Sequence, residues 1–263
     1  MKKKLIQYSI KFTLIFVITL SFFACQTLHL VAEAQDDFND GAEIENATKF
    51  SQNEENNLRI DFANTKYASA LSKVKKALSN KNKLKESKIY GSALTIKALC
   101  ELELGLYDQA RLTSLEAEDY LSDMNQPRDL AINVSMEGLI KAKKANDLLT
   151  KYSTYNEVAQ RMAITSDQYE EIKSLTTSGI ANINTASKPL NKDDILKYFA
   201  IYKANMIDVW ALADIRNGLQ NSTEVTVEKT LIIAELKKQL TCESPIFKYY
   251  RDEFHVSENI CDE

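Results

Sequence analysis

The chain is poor in the two residues that most often turn a backbone. Among its 263 residues there are only six glycines and three prolines. Strand-rich folds need a turn about every 8–12 residues, so this scarcity disfavours them and favours long helices. We therefore predict an all-α fold of roughly nine helices, arranged as antiparallel neighbours because the connections are short.

Histidine is scarce too, and the motifs of the common catalytic and metal sites are absent. The sequence has two histidines and no CxxC, HExxH, GxSxG, Walker or GxGxxG pattern. A zinc site needs three or four ligands at fixed separations, which these residues do not offer. Acidic neighbours such as Glu101 and Glu103 are interpreted as ordinary helix-surface residues. We predict no metal, no cofactor and no enzymatic activity.

The chain also lacks a basic surface. The first 24 residues hold four lysines and no acidic residue, so the rest of the chain has 29 basic and 37 acidic residues, a net charge of −8. A nucleic-acid site needs lysines and arginines gathered on one face and interleaved with aromatic residues, and no such cluster occurs. Nucleic acid is therefore not an expected partner.

Residues 1–24 have the pattern of an export signal. A basic segment closed by Lys11 precedes an uninterrupted apolar or hydroxylated run over residues 12–24. A membrane-spanning helix needs about 20 apolar residues, so this run is too short to be one. Its length and its basic flank are typical of a signal peptide.

The residues that follow the run resemble a bacterial lipobox. The run ends at Ala24-Cys25, and in that family the cysteine is acylated and becomes the mature N-terminus. The resemblance implies a lipid anchor on Cys25. Because Gln26 rather than an aspartate follows the cysteine, it also implies the outer membrane, on the periplasmic face.

A second processing site remains open. Ala32-Glu33-Ala34 has the small-x-small form of an ordinary cleavage site, and its use would release a soluble periplasmic protein that starts at Gln35. In either case residues 35–57 are acidic and rich in asparagine, with few large apolar side chains. We predict that residues 25–57 carry the lipid attachment and a flexible linker, and that residues 58–263 form the helical domain.

One stretch has the spacing of two helices that fold back on each other. It contains Ala98, Gly105, Tyr107, Ala110 and Ala117. Small residues allow two helix axes to approach closely, a glycine absorbs the turn, and one aromatic residue fills the gap between the helices. This order resembles a tetratricopeptide (TPR) repeat of the helical solenoid family. The resemblance implies a TPR-like superhelix or an irregular bundle, with these five residues shaping a binding groove.

The most regular single helix is predicted over residues 192–217. Its apolar positions step by four and three alternately, which gives a seam for neighbouring helices; they are Ile195, Phe199, Tyr202, Met206, Val209 and Ala213. Tyr202 on this seam and Trp210 beside it are predicted to contact a partner. Upstream, the spacing of Tyr152, Tyr155, Val158 and Met162 predicts a short helix.

These features leave two functions open. The first is a lipid-anchored docking or assembly factor that binds a protein or protein complex of the bacterial envelope. The second is a solute-binding TPR lipoprotein associated with a transporter, as the resemblance to such lipoproteins implies. An open groove favours the first, whereas an internal pocket lined by the tyrosines of the last long helices, Tyr198, Tyr202, Tyr249 and Tyr250, favours the second.

Three cysteines remain in an oxidising compartment if Cys25 carries lipid. Cys242 and Cys261 each lie beside a helix end near the C-terminus, so we predict a disulfide between them. Cys100 lies inside the hairpin and is predicted to be a buried small hydrophobe.

Overall fold

The computed structural model describes residues 26–47, 56–157, 160–190, 194–219, 222–255 and 261. Residues 1–24 and Cys25, on which the export and lipidation predictions depend, lie outside this part of the chain. The described residues form ten helices and one small hairpin of two strands. The predicted all-α class is confirmed.

The helices are connected by short segments. They are α1 (residues 26–47), α2 (Asn56–Leu78), α3 (Lys81–Glu86), α4 (Tyr90–Glu103), α5 (Tyr107–Leu121), α6 (Pro127–Tyr152), α7 (Ser166–Ser187), α8 (Asp194–Arg216), α9 (Thr223–Gln239) and α10 (Pro245–Glu253). The strands are β1 (Thr154–Asn156) and β2 (Arg161–Ala163), paired antiparallel with Tyr155 opposite Met162.

The turn between α4 and α5 is the one that the sequence indicates. Gly105 has φ +73°, in the left-handed region that glycine enters without steric cost. Its amide donates to the Leu102 carbonyl, and the Leu106 amide donates to the Glu101 carbonyl, so α4 ends in a tight reversal. The two helices pack against each other in antiparallel sense.

Beyond this hairpin each helix continues the antiparallel array. Ser114 of α5 donates to the Asn133 carbonyl of α6 at 2.9 Å, and Arg111 of α5 pairs with Glu137 one turn further along α6. A glycine pair then lets α6 and α7 approach closely, because a Cβ atom on Gly138 would lie 2.8 Å from the Gly179 carbonyl oxygen. Small residues thus fix the spacing of the central helices.

Helix α8 is the centre of the protein. It contributes buried residues to three hydrophobic clusters: the first with α1 to α7, the second with α6, α7 and α9, and the third with α9 and α10. All six residues of the predicted seam are buried. Gly218, at φ +84°, follows the end of the helix. The prediction of this helix and of its seam is confirmed.

Residues 35–47 are not the flexible linker that their composition predicts. They belong to α1, which runs antiparallel to α2 and buries Val31, Ala34 and Phe38. Two of its acidic residues are paired across the contact: Lys73 lies 2.7 Å from Asp37, and Lys66 lies 2.8 Å from Asp40. The acidic composition therefore matches a basic partner helix.

The predicted short helix over Tyr152, Tyr155 and Met162 is also wrong, and Val158 of that prediction lies outside the described residues. Helix α6 runs on to Tyr152, and the next residues form the β1–β2 hairpin, with Tyr155 and Met162 exposed. Arg161 of β2 donates to the Ile215 carbonyl at 3.0 Å, which attaches the hairpin to the end of α8. A segment this short between two long helices gains more from that anchor than from one isolated helical turn.

Candidate functional site

A pocket of about 370 Å³ lies between five helices. Helices α1, α2, α6 and α8 form its walls, and Glu103 enters from the end of α4. The lining residues are Phe38, Ala42, Glu45, Asn46, Ile60, Ala63, Asn64, Tyr67, Glu103, Ala142, Lys143, Asn146, Tyr198, Ile201, Tyr202, Asn205 and Val209.

A network of charged groups and tyrosines forms the floor of this pocket. Lys143 of α6 forms an ion pair with Glu103 Oε2 and lies 3.2 Å from Glu45 Oε1 of α1. The Tyr202 hydroxyl donates to Glu103 Oε1 at 2.5 Å, and the Tyr67 hydroxyl donates to Glu45 Oε2 at 2.7 Å. One lysine thus connects two carboxylates, and each carboxylate is held by a tyrosine from another helix.

Burial shifts the protonation of this network. It raises the pKa of Glu103, and the Glu45 charge adds to the effect, while Lys143 and the Tyr202 hydroxyl act against it. For Lys143, burial acts to lower the pKa, but the Glu103 and Glu45 carboxylates together raise it above its ordinary value. The lysine is therefore a permanent cation, and Glu103 is the group that holds a proton more readily than an exposed glutamate.

Aromatic rings stand on two walls of the pocket. Phe38 and Tyr67, from α1 and α2, have ring centroids 5.5 Å apart. Tyr198 and Tyr202, one turn apart on α8, have centroids 4.8 Å apart. The Tyr198 hydroxyl is buried and makes no hydrogen bond within the described residues. A buried hydroxyl of this kind calls for a partner, since leaving it unpaired costs about 1–3 kcal/mol.

The mouth of the pocket has a different chemistry from its floor. Ile60, Asn64 and Asn146 line the pocket and are exposed to solvent, whereas Tyr67 is 2% exposed and the Glu103 side chain 4%. Polarity thus changes inward from neutral amides to charged and aromatic groups. Among the charged groups of the pocket, Glu45 is 40% exposed and Glu103 only 4%, so an entering solute meets Glu103 last.

The predicted groove residues of the α4–α5 hairpin do not line this pocket. Ala98, Ala110 and Ala117 are fully buried in the core cluster that α4 and α5 share, so they cannot contact a partner. Gly105 is exposed, with open space where a Cβ atom would stand. The hairpin packs as its small residues indicate, and the binding groove that these residues are predicted to shape stays a prediction.

The three aromatic residues among the predicted binding residues lie in different parts of the molecule. Tyr202 lines the pocket. Tyr107 is half-buried, and its hydroxyl donates to Asp147 of α6 at 2.9 Å, so it connects α5 with α6. Trp210 is buried, with its indole Nε1 3.4 Å from the Tyr169 hydroxyl oxygen, and it borders a shallower groove between α7 and α9.

Several residues of the site carried no local signal in the sequence. Glu45 lies in the stretch predicted to be a linker, and the sequence predicts Glu103 to be an ordinary surface residue. Lys143 lies among alternating lysines and alanines that look like an ordinary amphipathic helix. The one usable signal is the position of Glu103 as the last residue of α4, directly after the buried Leu102.

The cysteines lie where the sequence places them. Cys242 and Cys261 are joined by a disulfide, with Cα atoms 6.1 Å apart. Cys100 is a buried free thiol, and burial, with nearby glutamates, raises its pKa. The disulfide lies beside α10, and neither of its cysteines lines the pocket.

Comparison with protein families, with curated proteins and with solved structures found no match for the chain. Within the described residues, no helix is long and apolar enough to cross a membrane, and no three or more His, Cys, Asp or Glu side chains are grouped to hold a metal ion. Function must therefore be inferred from the pocket itself.

Proposed function

We propose that this protein binds a small organic solute in the pocket between α1, α2, α6 and α8, as the solute-binding lipoprotein of an envelope transport system. The pocket itself carries the proposal. Its volume of about 370 Å³ falls in the range of small-ligand sites, roughly 300–1,000 Å³. Such sites combine apolar walls with a few convergent polar groups, which here are Glu45, Glu103, Lys143 and the tyrosine hydroxyls.

The packing of α1 supports attachment through Cys25. Helix α1 supplies four residues of the pocket lining, and its buried Val31 and Ala34 pack in the main core. Processing at Cys25 keeps this helix whole. Cleavage after Ala34 would remove residues 26–34 and with them both buried contacts, so we favour the lipid anchor and a periplasm-facing outer-membrane location.

The TPR-like description is part of the same proposal. The antiparallel pairs α1–α2 and α4–α5, each with small residues in the contact, support it. In a superhelix of this kind the pocket is enclosed where successive hairpins curve around a central helix. Here α8 occupies that central place.

A docking factor is the second candidate, supported by exposed leucines on α5. Leu112 is 68% exposed and Leu115 54%, on a face of the hairpin that faces solvent. Isolated exposed leucines are common on protein surfaces, so this observation is weaker than the pocket.

Native mass spectrometry of the full chain, purified from bacterial envelopes in mild detergent, tests the proposal. We expect a non-covalent small molecule in the spectrum. Ala42→Phe places a ring in the pocket and should remove that mass, whereas Ala32→Phe, on an exposed face of the same helix, should keep it. A wild-type protein that carries no added mass, and that no member of a broad solute panel stabilises against heat, contradicts solute binding.

A further inference from the structure

Lysines are concentrated at one end of the molecule, where α2 ends and α3 follows. Residues 75–88 contain six lysines and a single acidic residue, Glu86, although residues 25–263 together hold 29 basic and 37 acidic residues. The six are Lys75, Lys76, Lys81, Lys83, Lys85 and Lys88. This end of the molecule therefore differs in charge from the chain as a whole.

Four of these lysines present their charge to solvent. They are exposed and, within the described residues, form no ion pair: Lys75, Lys76, Lys85 and Lys88. The other two are paired, Lys81 with Glu116 at 3.0 Å and Lys83 with Glu86 at 3.7 Å. Composition predicts that the chain lacks a basic surface, but the folded chain has one here, formed by the four exposed lysines, which we call the lysine surface.

The lysine surface lies beside the start of α1. Asn80, between α2 and α3, donates from its Nδ2 to the Thr27 hydroxyl at 3.4 Å. Thr27 follows Cys25 by two residues, so their Cα atoms are at most about 7 Å apart. An anchor on Cys25 therefore holds the lysine surface next to the membrane.

The exposed acidic residues around this end lie farther from the anchor. Asp119 and Asp123 stand at and just after the end of α5, which packs against α4 and α6. Glu33 lies about 9 Å beyond Thr27 along α1 and contacts His29 at 3.4 Å. The segment that contacts Thr27 is thus the basic one.

A membrane is the partner that this placement favours. Anionic headgroups attract lysines near the surface, and the attraction falls off within a Debye length, about 8 Å at physiological ionic strength. A lipid chain and a basic patch together give firmer attachment than either alone. A soluble polyanion such as nucleic acid gains nothing from a neighbouring anchor, so the contact of Asn80 with Thr27 favours the membrane.

We propose that the lysine surface binds anionic phospholipid headgroups beside the anchor and holds the protein in one orientation on the membrane. This inference rests on attachment through Cys25, which is part of the proposed function, and is independent of solute binding. The orientation directs the pocket away from the lipid. Helices α1 and α2 run antiparallel, with Asn80 at Thr27 and Tyr67 at Glu45, so the pocket lies about 27 Å farther along α1.

Fluorescence quenching by lipid measures the orientation. The full chain, purified from bacterial envelopes in mild detergent, is reconstituted into phosphatidylcholine vesicles with or without phosphatidylglycerol, which contain a lipid with a nitroxide on its headgroup. Asn82→Cys on α3 and Glu43→Cys on α1 give exposed labelling sites at the two ends of the α1–α2 pair. The parent protein gives the background from the buried Cys100 thiol.

The two labels should respond differently to anionic lipid. With phosphatidylglycerol we expect at least about twofold stronger quenching at residue 82 than at residue 43. The ratio should be smaller without phosphatidylglycerol, and also at about 1 M salt, where the Debye length is about 3 Å.

Charge variants of the Asn82→Cys protein test the lysines themselves. The first variant replaces three residues of the lysine surface with glutamine: Lys75, Lys76 and Lys88. The control replaces three exposed lysines elsewhere with glutamine: Lys151, Lys197 and Lys238. Both variants lose the same net charge. The first should lose at least about half of the quenching that phosphatidylglycerol adds, whereas the control should keep it.

The outcomes separate the orientation from the anchor. If the protein associates with vesicles but both labels are quenched equally, or the lysine variant behaves as its control, the orientation is wrong and the anchor stands. If the protein does not associate with vesicles, attachment through Cys25 fails and the orientation fails with it. If a short DNA duplex binds the full chain while phosphatidylglycerol adds no quenching, the lysine surface is a nucleic-acid site and the proposal is overturned.

Discussion

Glu101 and Glu103 lie two residues apart on α4, both with buried side chains, and they are used in different ways. Glu101 faces α5, where Thr113 donates to its Oε2 at 2.7 Å and Lys97 lies 2.9 Å from its Oε1. Lys97 also donates to the Thr113 hydroxyl, so the three groups form a closed triangle with balanced charge. Glu103 faces the pocket, where one lysine is shared with a second carboxylate.

The contrast extends to the packing around each carboxylate. Around Glu101 the hairpin is closely packed, with its alanines fully buried. Around Glu103 the helices leave a pocket of about 370 Å³. A hollow beside buried ionisable groups lowers the stability of a fold. The position of the pocket next to Glu103 and Lys143 therefore supports the proposal that it holds a ligand.

The same substitution in the two regions should have very different consequences. Ala110→Phe adds a ring to a contact with no free volume and should lower the free energy of unfolding by about 3 kcal/mol. Ala42→Phe adds the ring to the pocket and should change it by less than about 1 kcal/mol. Urea denaturation of both variants gives the comparison; equal losses would show that the pocket is no emptier than the hairpin.

Replacing Glu101 or Glu103 with glutamine should give a smaller difference in stability between the two regions. Glu101→Gln puts an amide group beside Lys97 and breaks a satisfied buried triangle, which should cost about 1–2 kcal/mol. Glu103→Gln leaves Lys143 paired with Glu45 and keeps an acceptor for Tyr202, so we expect a change below about 1 kcal/mol. Denaturation of both proteins at neutral pH measures the difference. A larger loss for Glu103→Gln would mean that its ion pair supports the fold rather than a ligand.

The smallest expected effect is on how the free energy of unfolding depends on pH. Because the pKa of Glu103 is raised in the folded protein, the folded state binds more protons than the unfolded chain between the ordinary value of 4.5 and the raised value. The free energy of unfolding contributed by this group is therefore present at low pH and falls as pH rises through that window.

In Glu103→Gln the free energy of unfolding should not show this decrease with rising pH. The lowered pKa values of Asp37 and Glu116 act in the opposite direction, but they are common to both proteins and cancel in the difference. Denaturation of the parent and of Glu103→Gln from about pH 4 to about pH 7 measures it, with Glu43→Gln as an exposed control. Parallel pH profiles for the parent and Glu103→Gln would show that Glu103 has no raised pKa.

The closely packed region is the one that sequence reasoning could predict. Gly105, the alanine spacing and the alternating steps of α8 are local patterns, and each follows from helix geometry within a few turns of the residue concerned. The pocket has no such pattern. Glu45 and Lys143 are 98 residues apart in sequence, and their contact depends on how five helices are arranged.

Helix α1 shows the same limit on a smaller scale. Residues 35–47 are acidic and contain few large apolar side chains, which is the composition of a linker. Their helix is stable because Asp37 and Asp40 meet lysines of α2 and because Phe38 packs on Tyr67. These partners lie about a helix length away along the chain, outside the range of any local propensity.

A crystal structure of the full chain, purified from envelopes without refolding or exchange of bound solutes, tests the central claim most directly. The account predicts non-protein density in the pocket, with an atom of the solute within hydrogen-bond or ring-contact distance of Tyr198. Side chains collapsed into the space between α1, α2, α6 and α8, or ordered water alone in the native preparation, would contradict it.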